Sequence, residues 1–180
     1  MAQRIAVSGS AGTGKTTLAK AAAAELGVPY LPEGMREYLE ATGDNLHDLG
    51  FEWLRSLVLR LWDERQELEA RHASFVADRA SYDFAAFWLF YGFAKEDADT
   101  VRLLDETLRS TRYDAVYILP WGSIPLVADG VRSTNRFAQL QTQALIAGLC
   151  SEFGPEINWI DKVELTARIA VVVRDVRRSG

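Results

Sequence analysis

Residues Gly9–Thr17 read Gly-Ser-Ala-Gly-Thr-Gly-Lys-Thr-Thr and match the pattern G-x-x-x-x-G-K-[ST]. Glycines at these spacings let consecutive backbone N–H groups face one concavity. A helix starting there adds a field that favours anionic oxygens. In such a loop Lys15 reaches terminal phosphates as a point charge, and the Thr16 hydroxyl ligates Mg²⁺. The candidate phosphate-binding set is therefore Gly9, Ser10, Ala11, Gly12, Thr13, Gly14, Lys15, Thr16 and Thr17. The competing reading is a glycine-rich turn with an incidental lysine, and the flanking sequence argues against it. Ile5-Ala6-Val7 reads as a buried strand, and Leu18–Leu26 reads as a helix. Strand, loop and helix together predict a nucleoside triphosphate ligand, expected to be ATP with Mg²⁺.

The elements that must position this loop follow from the rest of the chain. Apolar runs alternate with stretches of helical spacing, the pattern of a parallel α/β sheet. Strands are predicted at Arg4–Ser8, Val28–Pro32, Ser74–Ala77, Ala115–Leu119 and Ile157–Ile160. The first helix stops at Gly27, with Pro29 just beyond. Further helices are predicted at Met35–Ala41, Leu49–Arg71, Tyr82–Phe93, Ala98–Thr111, Thr134–Cys150 and Val163–Val176. The stretch Pro120–Ser133 is the longest piece without periodicity; with the start of the next helix it is assigned as a lid over about 120–137. The expected architecture is a single three-layer α/β/α domain over 1–180, with a five-stranded parallel sheet and a helical lid.

In open parallel sheets ligands bind outside the carboxyl ends of the strands, so the residues there are the next candidates. Glu33 follows the second strand. Its carboxylate could accept a proton from an attacking hydroxyl, or it could cap the next helix; its place at a strand end favours the first reading. Arg36 could meet a substrate anion or pair with Glu40 at helical spacing. Asp78 follows the third strand and is assigned as the second support for Mg²⁺, through water. Arg79 would then face the phosphoryl-transfer space or the acceptor, with a surface salt bridge as its alternative. Arg132 and Arg136, four apart, could close over the phosphates and stabilise the transferred group. The helix after Arg79 carries Tyr82, Phe84, Phe87, Trp88, Phe90, Tyr91 and Phe93. Most of these rings must be core. Tyr82 or Phe84, near its start, could flank a planar base or sugar, and Asp83 could bind hydroxyls. Cys150, His47 and His72 are left as structural or solvent-facing residues.

Four segments occur in order: the phosphate loop, Pro32-Glu33-Gly34-Met35-Arg36-Glu37-Tyr38-Leu39, Asp78-Arg79-Ala80-Ser81-Tyr82-Asp83, and Ile124-Pro125-Leu126-Val127-Ala128-Asp129-Gly130-Val131-Arg132. Together they resemble the P-loop ATPase/kinase family linked to NAD metabolism, which includes ribosylnicotinamide kinase domains. The resemblance spans nearly the whole chain and implies a nucleoside-kinase-like fold with a lid and ATP-Mg²⁺ as phosphoryl donor. By similarity to deoxynucleoside kinases, Glu33 matches the base and Asp78-Arg79 the acid–arginine pair near metal and acceptor. Arg132 and Arg136 match lid arginines. The segment Leu119-Pro120-Trp121-Gly122 departs from the family pattern, lacking acidic and aromatic residues just ahead of Asp-Gly-…-Arg. Two alternatives stand beside a nucleoside kinase. One is a nucleoside monophosphate kinase using Arg36 and Arg79 for the acceptor phosphate; the other is a nucleotide switch that hydrolyses slowly.

Composition narrows the partners. A net charge of −5 offers no broad basic face for nucleic acid, so a small-molecule acceptor is expected instead. No apolar stretch reaches the roughly 18 uncharged residues a membrane helix needs. The single cysteine excludes an internal disulfide, and with no signal peptide ahead of the loop the cytoplasm is the expected compartment. Whether two copies pair through the helix at 49–71, as a homodimer, is left open by the sequence.

Overall fold

The computed structural model describes residues 3–44, 46–109, 113–124 and 135–179. The chain runs β1 (Arg4–Ser8), α1 (Lys15–Leu26), β2 (Tyr30–Leu31), α2 (Met35–Thr42) and a 3₁₀ turn at Leu46–Asp48. It continues with α3 (Phe51–Arg71), β3 (Phe75–Asp78), α4 (Ser81–Phe90), α5 (Ala98–Arg109) and β4 (Ala115–Ile118). Then follow α6 (Arg136–Phe153), β5 (Ile157–Trp159) and α7 (Leu165–Ser179). The sheet is parallel throughout, in the order β2-β3-β1-β4-β5.

Side chains alternate across the strands, and the two faces carry separate cores. Ile5 and Val7 of β1 and Tyr117 of β4 pack with Leu18 and Ala22 of α1 and Val172 of α7. Ala6, Phe75, Ala77, Val116 and Ile118 point the other way, towards Ala86 of α4 and Ile146 and Cys150 of α6. That division makes the three layers expected from the sequence. A third cluster joins α3, α4 and α5 through Leu57, Leu61, Trp62, Trp88 and Leu103. It holds α3 over the carboxyl ends of β2 and β3. No helix among the described residues is long and apolar enough to cross a membrane.

Most boundaries shift by one to three residues from the sequence reading, and three of the shifts have a clear local cause. β2 is shorter than Val28–Pro32 because prolines at 29 and 32 bring no amide donors to the ladder. α4 ends at Phe90 rather than Phe93, since Gly92 turns left-handed (φ 71°) and breaks the helix. α6 starts at Arg136, where the Asn135 side chain accepts from the amides of Phe137 (3.0 Å) and Ala138 (3.3 Å), and it runs on to Phe153. Most of the expected lid, 125–134 with Arg132, lies outside the described residues.

The turn out of β1 depends on Gly9. Its φ is +125°, and a Cβ there would sit 2.6 Å from the Leu119 carbonyl oxygen at the end of β4. The oxygen belongs to the backbone and the Cβ would be fixed directly to it, so neither can swing aside. Gly9→Ala is expected to cost on the order of 3 kcal/mol through strain and clash, read as a lowered denaturation midpoint. An unchanged midpoint would contradict this geometry.

Candidate active site

The phosphate loop lies between the end of β1 and the first turn of α1. Gly14 precedes the helix and supplies no side-chain cap, which leaves the first-turn amides without a side-chain partner. The loop is tied from several directions. The Ser10 amide donates to Gln143 Oε1 on α6 (2.8 Å). The Ser10 carbonyl accepts from Thr13 Oγ1 (3.0 Å) and from Lys15 Nζ (2.6 Å). On the far side, buried Arg168 of α7 donates to the carbonyls of Thr13 (2.7 Å) and Lys162 (2.6 Å). The same guanidinium lies 3.5 Å from Ser123 Oγ, just ahead of the expected lid.

Lys15 is itself buried. Burial disfavours its ammonium, the nearby charge of Arg79 adds to that, and its pKa falls to about 7. Below that value both folded and unfolded chains hold the proton. Between about 7 and the ordinary 10.5 only the unfolded chain does, so the stability of the nucleotide-free protein rises with pH across that window. A polyphosphate would favour the ammonium, so ATP affinity is expected to fall as the pH rises above about 7. At about pH 8 binding should take up a proton, read by calorimetry in buffers of different ionisation heat. Lys15→Arg, whose guanidinium stays charged, should remove the uptake. Identical heats in all buffers for the wild-type protein would contradict the shift.

Thr16 and Asp78 meet as a metal pair would require. Thr16 Oγ1 donates to Asp78 Oδ2 at 2.6 Å, and the Tyr30 hydroxyl approaches the same oxygen at 3.5 Å. The other carboxylate oxygen, Oδ1, is buried with no hydrogen-bond partner. A hydroxyl beside a carboxylate with a spare buried oxygen suits a hard divalent cation. No cluster of three or more His, Cys, Asp or Glu able to hold a metal occurs among the described residues. Such a cation would therefore draw its remaining ligands from phosphate and water, the habit of Mg²⁺.

Beside the loop opens a pocket of about 340 Å³. Met35 and Leu39 of α2, Val58 of α3, and Phe87, Phe90 and Tyr91 at the end of α4 form its apolar wall. Ala11 of the phosphate loop, Gln139 and Thr142 of α6, and the charged trio Glu33, Arg36 and Arg79 complete it. Arg79 is the centre of that trio. It pairs with Glu33 and, through Nη1, with Asp83 Oδ1 (3.1 Å), and it donates to the Gly9 carbonyl (3.3 Å). Its guanidinium lies over the Phe87 ring, 4.7 Å from the centroid. Burial works against the charge of Arg79, but the carboxylates of Glu33, Asp83 and Asp78 outweigh burial and raise its pKa. It stays a cation.

The structure thus brings together Lys15, Thr16, Asp78, Glu33, Arg36 and Arg79. Arg36 lines the pocket and lies 3.8 Å from Glu40, its helical partner in the second of its two sequence readings. Two expectations need correction. Tyr82 is buried against Tyr113, with its hydroxyl donating to the Phe153 carbonyl (3.1 Å), so it faces the core and not a substrate. Asp83 is fully buried, accepting from Ser8 Oγ, the Ala80 amide (3.0 Å) and Arg79. It aims Arg79 rather than binding acceptor hydroxyls. Phe84 belongs to the α3–α4–α5 cluster, and the rings at the pocket come from the opposite end of α4. A helix apolar nearly all round gives no phase from which to choose its ligand-facing side. Arg136 is exposed at the start of α6, stacked over the rings of Trp121 (5.7 Å) and Phe137 (5.6 Å).

A family model described as an AAA domain matches residues 4–168, and the chain belongs to that family. No curated protein matches the sequence. Among solved structures, the NadR protein in complex with NR has a TM-score of 0.72 at 20% identity, over 98% of this chain and 51% of that one. The present chain thus spans about half the length of NadR. Deoxyadenosine kinase from M. mycoides, with dCMP and dCDP, has a TM-score of 0.64 at 14% identity, over 97% of this chain and 98% of that one. Thymidylate kinase from Ehrlichia chaffeensis gives 0.62 at 15% identity, with 98% of both chains covered. The fold is that of P-loop kinases.

Proposed function

We propose that the protein is an ATP- and Mg²⁺-dependent phosphotransferase that moves the γ-phosphoryl group to a hydroxyl of a nucleoside or ribosylnicotinamide-like compound. The observation that carries this reading is Glu33 beside Arg79 at the polar end of a largely apolar pocket, next to Ala11 of the phosphate loop. A water-oriented hydrolase has no use for an organic pocket of that kind. The acceptor hydroxyl gives its proton to the Glu33 carboxylate while its oxygen forms a bond to the γ-phosphorus. The bond to the bridging oxygen breaks, and ADP leaves with the electron pair. Lys15 and the loop amides hold the phosphates, and Arg79 meets the charge spread over the transferred group. Thr16, with Asp78 through water, would hold Mg²⁺, which neutralises charge on the β- and γ-oxygens when bound. Arg132 and Arg136 are the proposed lid arginines.

Because Glu33 and Asp83 already pair with Arg79, a monophosphate acceptor would have to be met by Arg36, which lines the same pocket. The test is ADP release with ATP-Mg²⁺ against a panel of nucleosides, ribosylnicotinamide and nucleoside monophosphates. Release that rises with a nucleoside or ribosylnicotinamide supports the reading. Release stimulated by a monophosphate alone transfers it to a nucleotide kinase, and slow acceptor-independent release points to a switch.

A further inference from the structure

We infer that Arg65 is a positioning residue for the acceptor end of the site, fixing how Glu33 and Arg79 face the pocket by holding three backbone carbonyls at once. It lies on the inward side of α3, 1% exposed, among Leu57, Val58, Leu61 and Trp62. Burying a guanidinium there is costly unless its donors are met. Its two Nη groups are met by backbone, Nε alone lacking a hydrogen-bond partner: Nη2 donates to the carbonyls of Pro32 (2.5 Å) and Asp78 (2.8 Å), and Nη1 to that of Arg79 (3.3 Å). These carbonyls lie where β2 and β3 run out of sheet partners, and each is one peptide from, or part of, a residue placed in the chemistry. Pro32 immediately precedes Glu33. Asp78 supports the metal, and Arg79 meets the transferred group.

Arg79 is also the one described residue other than glycine with positive φ (73°). That conformation is strained and persists only when the surroundings over-determine it. Arg65 grips its carbonyl. From the other side the Tyr113 hydroxyl accepts from the Ser81 amide (2.7 Å) while donating to Glu69 Oε1 (2.6 Å). Residues of α3 thereby hold the Arg79–Ser81 turn at both ends, directly through Arg65 and through Tyr113 from Glu69. The phosphate loop has ties of its own, to Gln143 and Arg168, and meets this turn at the Arg79–Gly9 bond (3.3 Å). Loosening Arg65 should therefore disturb the acceptor side more than the donor side.

This role rests on the proposed phosphotransfer, and the test separates the two. In the full chain, Arg65→Lys keeps a cation but not the planar fork that spans three carbonyls. With ATP-Mg²⁺ and ribosylnicotinamide, or whichever panel nucleoside the wild type turns over fastest, kcat/KM for the acceptor should fall on the order of 10- to 100-fold while the Kd for ATP stays within about twofold. Hydrogen exchange should quicken at 79–83 and remain unchanged at 9–17. Unchanged acceptor kinetics, or equal losses for acceptor and ATP, would overturn the assignment. If the wild type phosphorylates nothing, the functional reading fails and the exchange pattern still decides whether Arg65 holds the turn. Should Arg65→Lys not fold, Tyr113→Phe releases the same turn from its other end, with the same split expected and the same uniform outcome contradicting it.

Discussion

Lys15→Met is expected to abolish phosphoryl transfer, lowering kcat by ~10³-fold or more, because no other buried cation reaches the loop's phosphate space from α1. The loss should come without unfolding. The ammonium is disfavoured by its own burial, so removing it lifts a desolvation penalty from the nucleotide-free protein. Melting temperature in the absence of ATP should hold or rise, while stabilisation by added ATP should shrink. This combination distinguishes a binding lysine from a structural one. Retention of turnover within about threefold of the wild type would remove Lys15 from the chemistry.

Glu33→Gln carries the second large effect, a fall in kcat on the order of 10²- to 10⁴-fold with ATP affinity retained. The amide keeps the size and place of the carboxylate but cannot take the acceptor's proton. Asp83 still pairs with Arg79 in the variant, so the guanidinium keeps a partner and its cradle. A general base and a mere ion-pair partner then separate cleanly. A partner's loss would show in stability and in the KM for the acceptor, whereas a base's loss shows in kcat at saturating acceptor. A nucleotide switch would barely respond. Rate measurements with both substrates saturating, and ATP titrations alongside, read the two terms apart.

The backbone plan and the phosphate loop were legible because their signals are local. A glycine pattern between an apolar run and a helical run needs no distant partner to be recognised. The five strands followed from apolar runs, and Glu33 and Asp78-Arg79 followed from their place at strand ends. What stayed hidden depends on contacts between remote parts of the chain. Gln143 reaches Ser10 across 133 residues, and Arg168 reaches Thr13 across 155. In the sequence these two, like Arg65, read as ordinary polar residues of amphipathic helices, because burial cannot be told from residue type alone. Tyr82 and Asp83 were misplaced for a related reason. In α4 the first turn is inside and the last turn lines the pocket, a choice made by packing against α3 and α6 and not by periodicity.

If the pocket beside Glu33 receives an organic hydroxyl onto which the γ-phosphoryl group is moved, the ³²P label of γ-labelled ATP can be followed into product in the presence of ribosylnicotinamide and a nucleoside panel. Label is expected in a phosphomonoester of one acceptor, formed in step with ADP and lost in Lys15→Met. Label recovered solely as inorganic phosphate, at a rate no acceptor alters, would contradict it.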